Sequence, residues 1–237
     1  MKASDYFDKK AHEYEHERSS GFIGSFVKKE EVIALALLDP KPDEGILDVG
    51  CGSGHYTLKI KESGAHPFGI DMAPAMVERL GEQGIPGEVL DIEERVPKKV
   101  FDKALCGGAL EFMKDPGKGI SHIGKALKNN GIFVAIYPRR SLGGFLYKMF
   151  HLSHGIEIKL FSREMMKGML LGSGFRVVDD VKADAIANVV KAIKKVRTPS
   201  PDDFEKIVNF GVKFAREKGI SSEKDVERVI HEARGVQ

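Results

Sequence analysis

Three glycines in alternation, Gly50, Gly52 and Gly54, follow directly on the apolar run Ile46-Leu-Asp-Val49 and precede a helix-like stretch from His55. A chain that turns this sharply from strand into helix needs positions where φ > 0 costs little, and glycine supplies them. The missing Cβ also lets a ligand approach the main chain at a helix N-terminus. Asp48 stands two residues before the first glycine, and a second acid, Asp71, closes the next apolar run, Pro67-Phe-Gly-Ile-Asp71. Alone, a glycine cluster is an ordinary strand-to-helix turn. Two acids at successive strand ends turn it into a candidate ligand crevice.

The spacing separates two kinds of ligand. A dinucleotide fold uses G-x-G-x-x-G, whose third glycine packs helix on strand. Here that position is His55, and the pattern is G-x-G-x-G with Asp48 ahead of it. A carboxylate beside the loop suits a cationic ligand with an amino group better than a pyrophosphate. At this point the chain resembles a known family. Asp-Val-Gly-Cys-Gly-Ser-Gly at residues 48–54 is similar to motif I of the class I S-adenosylmethionine-dependent methyltransferases, of small-molecule type. Met72, Ala73 and Met76 after Asp71 are similar to that family's second motif, G-x-D-x-S-x-x-M, with Ala73 replacing the usual serine. The resemblance covers residues 6–196. It implies a Rossmann-like fold and S-adenosyl-L-methionine as cofactor.

Composition sets outer bounds. At 237 residues the chain is long enough for one α/β domain with added elements. A net charge of +2 argues neither for nucleic acid nor for an acidic surface. Cys51 and Cys106, the two cysteines, both fall in expected ligand-side loops, and no disulfide framework is implied. With no long apolar run and a polar start, the expectation is a cytoplasmic protein without an integral membrane segment.

Along the chain, residues 5–18 read as a polar helix carrying Tyr6, Phe7, Ala11 and Tyr14, broken by Gly21 and Gly24. A second helix is expected over 27–38, ended by Pro40 and Pro42. Strands are expected at 46–49, 67–70, 87–90, 103–106, 132–137, 175–181 and 187–193, with helices at 55–63, 74–83, 118–127 and 163–172. This alternation predicts right-handed crossovers and a mostly parallel, twisted seven-stranded α/β sheet with helices on both faces. The short link at 182–184 predicts that the last strand runs antiparallel. Thr198-Pro-Ser-Pro201 breaks the chain, and helical spacing resumes at Phe204 and again at Val226, with Ser222 and Asp225 placed as a capping box. The organisation is thus N-terminal helices over the cofactor site (1–44), a core (45–197) with a substrate cap (138–162), and a C-terminal helical extension (198–237). That extension packs on its own domain or forms a homodimer contact.

Ligands of open α/β sheets bind beyond the carboxyl ends of the strands. Asp71 is placed to accept two ribose hydroxyls, since a carboxylate takes two O–H donors at once. Asp91 and the Ile92 amide are placed for the adenine edge. The resemblance implies that Asp48 holds the methionyl amino group, with the backbone of Gly50, Cys51, Gly52 and Gly54 along the ligand and Met72 beside it. It further implies that Tyr14 covers the cofactor. Cys106 and Gly107 end the fourth strand near the sulfonium side, where the cysteine fills space. Two positions depart from the family pattern: Leu110-Glu-Phe112 lacks the histidine of L-E-H, and Lys128-Asn-Asn-Gly131 replaces K-P-G-G.

Methyl transfer from a sulfonium is a direct displacement that rests on alignment and exclusion of water. If a base exists, the segment after the fifth strand should supply it. Arg139 and Arg140 lead into a stretch rich in Phe145, Leu146, Tyr147, Met149 and Phe150, which ends at His151 and His154. It reads as a cap, with the two histidines as candidate catalytic bases and the arginines as candidate anion grips. The histidine spacing can bind a metal, but no third ligand is near, and none is expected. No Asn-Pro-Pro-Tyr follows the fourth strand. The expected acceptor is therefore a small, partly apolar molecule. The alternatives are an RNA or protein methyltransferase, or a non-catalytic cofactor-binding assembly or regulatory subunit.

Overall fold

In the computed structural model the chain divides into two compact units, Met1–Val196 and Arg197–Gln237. The structure describes residues 21–195 and, in the second unit, 209, 212–222, 224–226 and 228. The expected helix over 5–18, Tyr14 included, and most of the C-terminal helical pair lie outside the described residues.

The first unit is built on one seven-stranded sheet. Helix α1 (Gly21–Leu38) leads into β1 (Gly45–Val49), α2 (His55–Glu62), β2 (His66–Asp71), α3 (Pro74–Glu82) and β3 (Gly87–Val89). There follow β4 (Phe101–Gly107), α4 (Pro116–Ala126), β5 (Leu127–Pro138), α5 (Leu142–Ser153), α6 (Arg163–Gly172), β6 (Phe175–Lys182) and β7 (Ala187–Lys194). The spatial order is β3-β2-β1-β4-β5-β7-β6. Every pair is parallel except β5 with β7 and β7 with β6, so β7 alone runs against the rest. The strand order reverses at β1 and β4, and the crevice beyond their carboxyl ends is where such sheets bind ligands.

Alternate residues of the strands divide two cores. Leu47, Ala104, Phe133, Ala135 and Tyr137 face α4 and α6 together with Ile120, Ile123, Met166 and Leu170. Ile46, Leu105, Val134 and Ile136 face α1 and α2 through Ala34, Leu38, Tyr56 and Ile60. The sheet interior is therefore apolar on both faces, as parallel strands covered by helices require.

Three expectations change in detail. The second helix starts earlier than 27: α1 begins at Gly21 and runs through Gly24, while the expected end of the 5–18 helix lies outside the described residues. The burial of Ala34 and Leu38 further along α1 offsets the roughly 1 kcal/mol that each glycine costs a helix. The fifth strand starts at Leu127 rather than 132, and the stretch 128–131 is its kinked start. Asn130 sits at φ 61°, and the pairing with β4 shifts register between Phe101 and Lys103. Cys106 lies inside β4 rather than in a loop. In the second unit, residues 212–217 are helical. There the Ser222 N–H donates to Asp225 Oδ2 (2.9 Å) and the Asp225 N–H to Ser222 Oγ (3.4 Å), completing the capping box.

Candidate active site

The glycine turn joins β1 to α2 with all three glycines left-handed, at φ 69° (Gly50), 52° (Gly52) and 96° (Gly54). Its amides are already spent inside the protein. Gly50 and Cys51 both donate to the Ile70 carbonyl (2.8 and 3.1 Å), Gly52 donates to Asp71 Oδ2 (2.9 Å), and Gly54 donates to the Cys51 carbonyl (3.0 Å). A pyrophosphate loop works by aiming such N–H groups at the anion. This loop aims three of them at its own β2 end and the fourth back into the turn.

Each glycine is required for a different reason. A Cβ on Gly50 would stand 2.4 Å from the Ala109 methyl, and one on Gly54 2.9 Å from Leu80 Cδ1. A Cβ on Gly52 would meet nothing within 4 Å, so that position borders open space. Gly107 is a packing glycine as well, because a Cβ there would lie 2.6 Å from the Tyr56 ring. His55, at the place of a third fingerprint glycine, turns outward instead. Its Nε2 lies 2.6 Å from Glu31 of α1, which also reaches Lys59 Nζ at 3.3 Å.

Carboxylates collect at the strand ends. Asp48 is 1% exposed and accepts the Thr57 hydroxyl at 2.6 Å; Glu111, just beyond β4, is 2% exposed. Asp71 accepts the Gly52 amide on one oxygen and the Ala73 amide on the other (2.9 Å each). The N-cap position of α3 is Ala73, so Asp71 braces the turn two residues earlier than a cap would. Burial pushes its carboxyl pKa upward, against the lowering by those amides. Further O–H donors on a ligand would stabilise the ionised form. Met72 beside it is 48% exposed, an apolar side chain standing open at the crevice.

Past β3, the Asp91 Oδ1 accepts the Glu93 amide (2.8 Å), Ile92 is buried, and the Ile92 carbonyl lies 2.8 Å from His122 Nδ1. The Leu90 amide donates to the Asp71 carbonyl (2.9 Å), which ties this loop to the end of β2. Asp48, Asp71, Asp91 and the glycine turn thus share one edge of the sheet.

Both thiols register the acid field. Burial pushes Cys51 and Cys106 well above the ordinary thiol range, and nearby carboxylates (Asp48 and Asp71 for Cys51, Glu111 and Asp48 for Cys106) push the same way. Neither is a nucleophile at neutral pH. In a thiol-reagent assay both should label only as fast as the chain opens. Prompt labelling of the folded protein would contradict this placement.

The segment after β5 forms α5, capped by Ser141, whose Oγ accepts the Gly144 amide (3.1 Å). Its Leu142, Phe145, Leu146, Met149 and Phe150 follow helical spacing and are exposed rather than turned into an enclosed pocket. His151 and His154 part company on it. His154 is exposed, with Nδ1 2.9 Å from the Phe150 carbonyl. His151 is 8% exposed, edge-on to the rings of Phe112, Tyr147 and Phe150. Burial, with a smaller push from His154, lowers its pKa to about 4. An unfolded histidine titrates near 6.5. Between about pH 6.5 and 4 the unfolded chain therefore takes up a proton that the folded chain refuses. This residue's contribution to stability falls as pH drops through that window and is restored as pH rises. A ring-proton NMR titration should show His151 neutral at pH 5.5; a midpoint near 6.5 would contradict its burial. Phe112, at the L-E-H departure, thus packs on this histidine.

Among the described residues, no group of three or more His, Cys, Asp or Glu is placed to hold a metal, and no helix is long and apolar enough to cross a membrane. Sequence reasoning missed Thr57, Glu31 and the burial of Glu111. Only Glu111 carried a signal, as an acid directly after an apolar strand end. Thr57 and Glu31 make contacts through tertiary packing that no local pattern encodes.

Comparison with known proteins agrees with this geometry. A family model described as a methyltransferase domain matches residues 14–180. The malonyl-[acyl-carrier protein] O-methyltransferase of Acetivibrio thermocellus is 29% identical over 136 residues, which make up 53% of this chain and 48% of that protein. A 23S rRNA (uracil(1939)-C(5))-methyltransferase of Thiobacillus denitrificans is 37% identical over 97 residues, 34% of this chain and 22% of that protein. The chain thus spans about half the length of the first relative and less of the second. The magnesium protoporphyrin IX methyltransferase of Synechocystis PCC 6803, solved with bound SAH, superposes with a TM-score of 0.65 at 16% identity, covering 81% of this chain and 98% of that one. Glycine turn, strand order and family match converge: the chain belongs to the methyltransferase-domain family, of the class I, S-adenosylmethionine-dependent type.

Proposed function

We propose that the chain transfers a methyl group from S-adenosylmethionine to a small, partly apolar acceptor by direct displacement. The observation that carries this reading is the glycine turn whose amides are consumed by Ile70, Asp71 and Cys51 while buried carboxylates surround it. Such a crevice disfavours a pyrophosphate and suits a cationic ligand.

The residues present fit this cofactor. Asp71 would take the ribose hydroxyls, Asp48 the amino group, and Asp91 with the Ile92 amide the adenine edge. Met72 would lie beside the adenosine, the open side of Gly52 would border the methionyl chain, and Cys106 and Gly107 would back the sulfonium side. When bound, the cofactor supplies an activated methyl on a good leaving group. The chain's own share is alignment and exclusion of water, with no required base. His151, held neutral by burial and with its pKa near 4, is a weak base, and its edge-on ring contacts favour a packing role. The exposed apolar side chains of α5 favour an acceptor with an apolar portion.

RNA methylation is the second reading, favoured by the rRNA methyltransferases among the relatives. Methyl-labelled S-adenosylmethionine incubated with the protein and a metabolite extract decides between them. Labelled small products that survive ribonuclease treatment are expected. Label found only in RNA, and lost with ribonuclease, would overturn the small-molecule reading. Binding without turnover on either pool would favour a non-catalytic subunit.

A further inference from the structure

Outside the glycine crevice a second cavity, of about 410 Å³, opens at the same carboxyl edge of the sheet, between the end of β5, the start of α6, the end of β6 and the start of β7. Arg139, Arg140, Arg163 and Lys182 line it against one lining acid, Glu164. The cations are largely uncommitted. Arg139 donates to the Asp184 carbonyl at 3.5 Å and Arg140 to the Leu160 carbonyl at 3.3 Å, each with one of its five N–H groups. Lys182 makes no ion pair among the described residues, and Arg163 has one long contact, 3.6 Å to Asp180. The N-terminus of the ten-residue α6 adds its positive end at Ser162 and Arg163.

A separate observation comes from Asn188, which lines the same cavity and is 3% exposed. Its amide nitrogen donates to the Tyr137 hydroxyl (3.0 Å) and to Asp180 Oδ1 (3.1 Å), while its side-chain oxygen has no partner among the described residues. Flipping the amide would set its oxygen against the Asp180 carboxylate, so the assignment stands. A buried acceptor left unpaired is costly. The cavity therefore offers cations for an oxyanion, and its wall holds one buried acceptor without a partner among the described residues.

We propose that this cavity is a binding site for a phosphate-type oxyanion, and that the anion belongs to the methyl acceptor. Assigning it to the acceptor rests on the methyltransferase reading; the affinity for phosphate does not. In the order β1-β4-β5, the strand that ends at the cavity is two places from the strand that ends at the glycine turn, about 10 Å across the sheet at the usual strand spacing. A metabolite-sized molecule spans that distance. The exposed apolar stripe of α5 starts at Leu142, two residues after Arg140, so the oxyanion can arrive on a soluble metabolite or on a phospholipid headgroup.

The test uses the full chain in low-salt zwitterionic buffer near pH 6.5. Inorganic phosphate is titrated calorimetrically into the wild type, the Arg140→Gln/Lys182→Gln variant and a charge-matched Lys98→Gln/Lys125→Gln control. S-adenosylhomocysteine is titrated into all three. All four side chains are exposed, so folding is spared. Saturable phosphate binding is expected in the wild type and the control, with at least a tenfold weaker affinity in the cavity variant and equal S-adenosylhomocysteine affinity throughout. No phosphate binding by the wild type, or equal binding by the cavity variant, would overturn the site. Loss of S-adenosylhomocysteine binding by every protein would instead overturn the methyltransferase reading and leave the anion site standing. Sedimentation with phosphatidylglycerol but not phosphatidylcholine vesicles, abolished in the cavity variant, identifies a lipid headgroup. Phosphate binding without vesicle binding identifies a soluble ligand.

Discussion

Replacing Asp71 with alanine is expected to weaken binding of S-adenosylhomocysteine by roughly 150- to 25,000-fold, as two charge-assisted hydrogen bonds at about 1.5–3 kcal/mol each would produce. In the proposed site the carboxylate does two jobs at once. It holds the Gly52 and Ala73 amides at 2.9 Å, and its remaining lone pairs are available to the ribose. Alanine removes both, so Asp71→Asn is the companion variant. It keeps one acceptor oxygen and so one of the two loop amides, while its NH2 would face the other N–H, and its loss should be intermediate. Isothermal titration reads the affinities and a thermal melt reads the fold. Undiminished affinity in Asp71→Ala would remove this residue from the site.

The second large effect separates two glycines two residues apart. Gly50→Ala should destabilise the fold by about 2–5 kcal/mol. A left-handed alanine costs about 1–2 kcal/mol, and a methyl 2.4 Å from Ala109 adds an overpacking cost of about 1–3 kcal/mol. Gly52→Ala carries only the first cost, about 1–2 kcal/mol, because its methyl would meet nothing within 4 Å. That methyl would stand in the space the ligand needs. Gly52→Ala should therefore stay folded while losing at least tenfold in cofactor affinity. The account predicts opposite orders in the two assays: Gly50→Ala is the less stable, and Gly52→Ala is the folded variant that no longer binds. A Gly52→Ala protein with full affinity would contradict the open-space argument.

The framework was readable because its signals are local. The β1-turn-α2 unit follows from glycines that must be left-handed, and the helix at Arg163–Gly172 from its apolar period. The antiparallel β7 follows from a link too short for a crossover. What escaped depends on contacts between distant segments. Gly24 looked like a breaker, yet tertiary packing of the rest of α1 carries the helix through it. The aromatic stretch at 145–150 read as a cap, but that its stripe stands exposed was not legible, because composition records apolarity and not the direction a helix face turns. The His151/His154 pair looked like one unit, but three rings bury the first and leave the second at the surface. Arg139 and Arg140 read as candidate anion grips, and both line the cavity at the end of β5. Lys182, Arg163 and Asn188, which complete that cavity, come from three further elements that sequence order keeps apart.

The central claim is that the turn at Gly50–Gly54 receives a sulfonium compound and not a pyrophosphate, because its amides already serve Ile70, Asp71 and Cys51. A crystal structure of the chain grown with equal concentrations of S-adenosylhomocysteine and NAD tests it most directly. The account predicts density for S-adenosylhomocysteine, with ribose hydroxyls on Asp71 and sulfur beside the loop. An empty crevice, or NAD with its pyrophosphate on the loop amides, would contradict it.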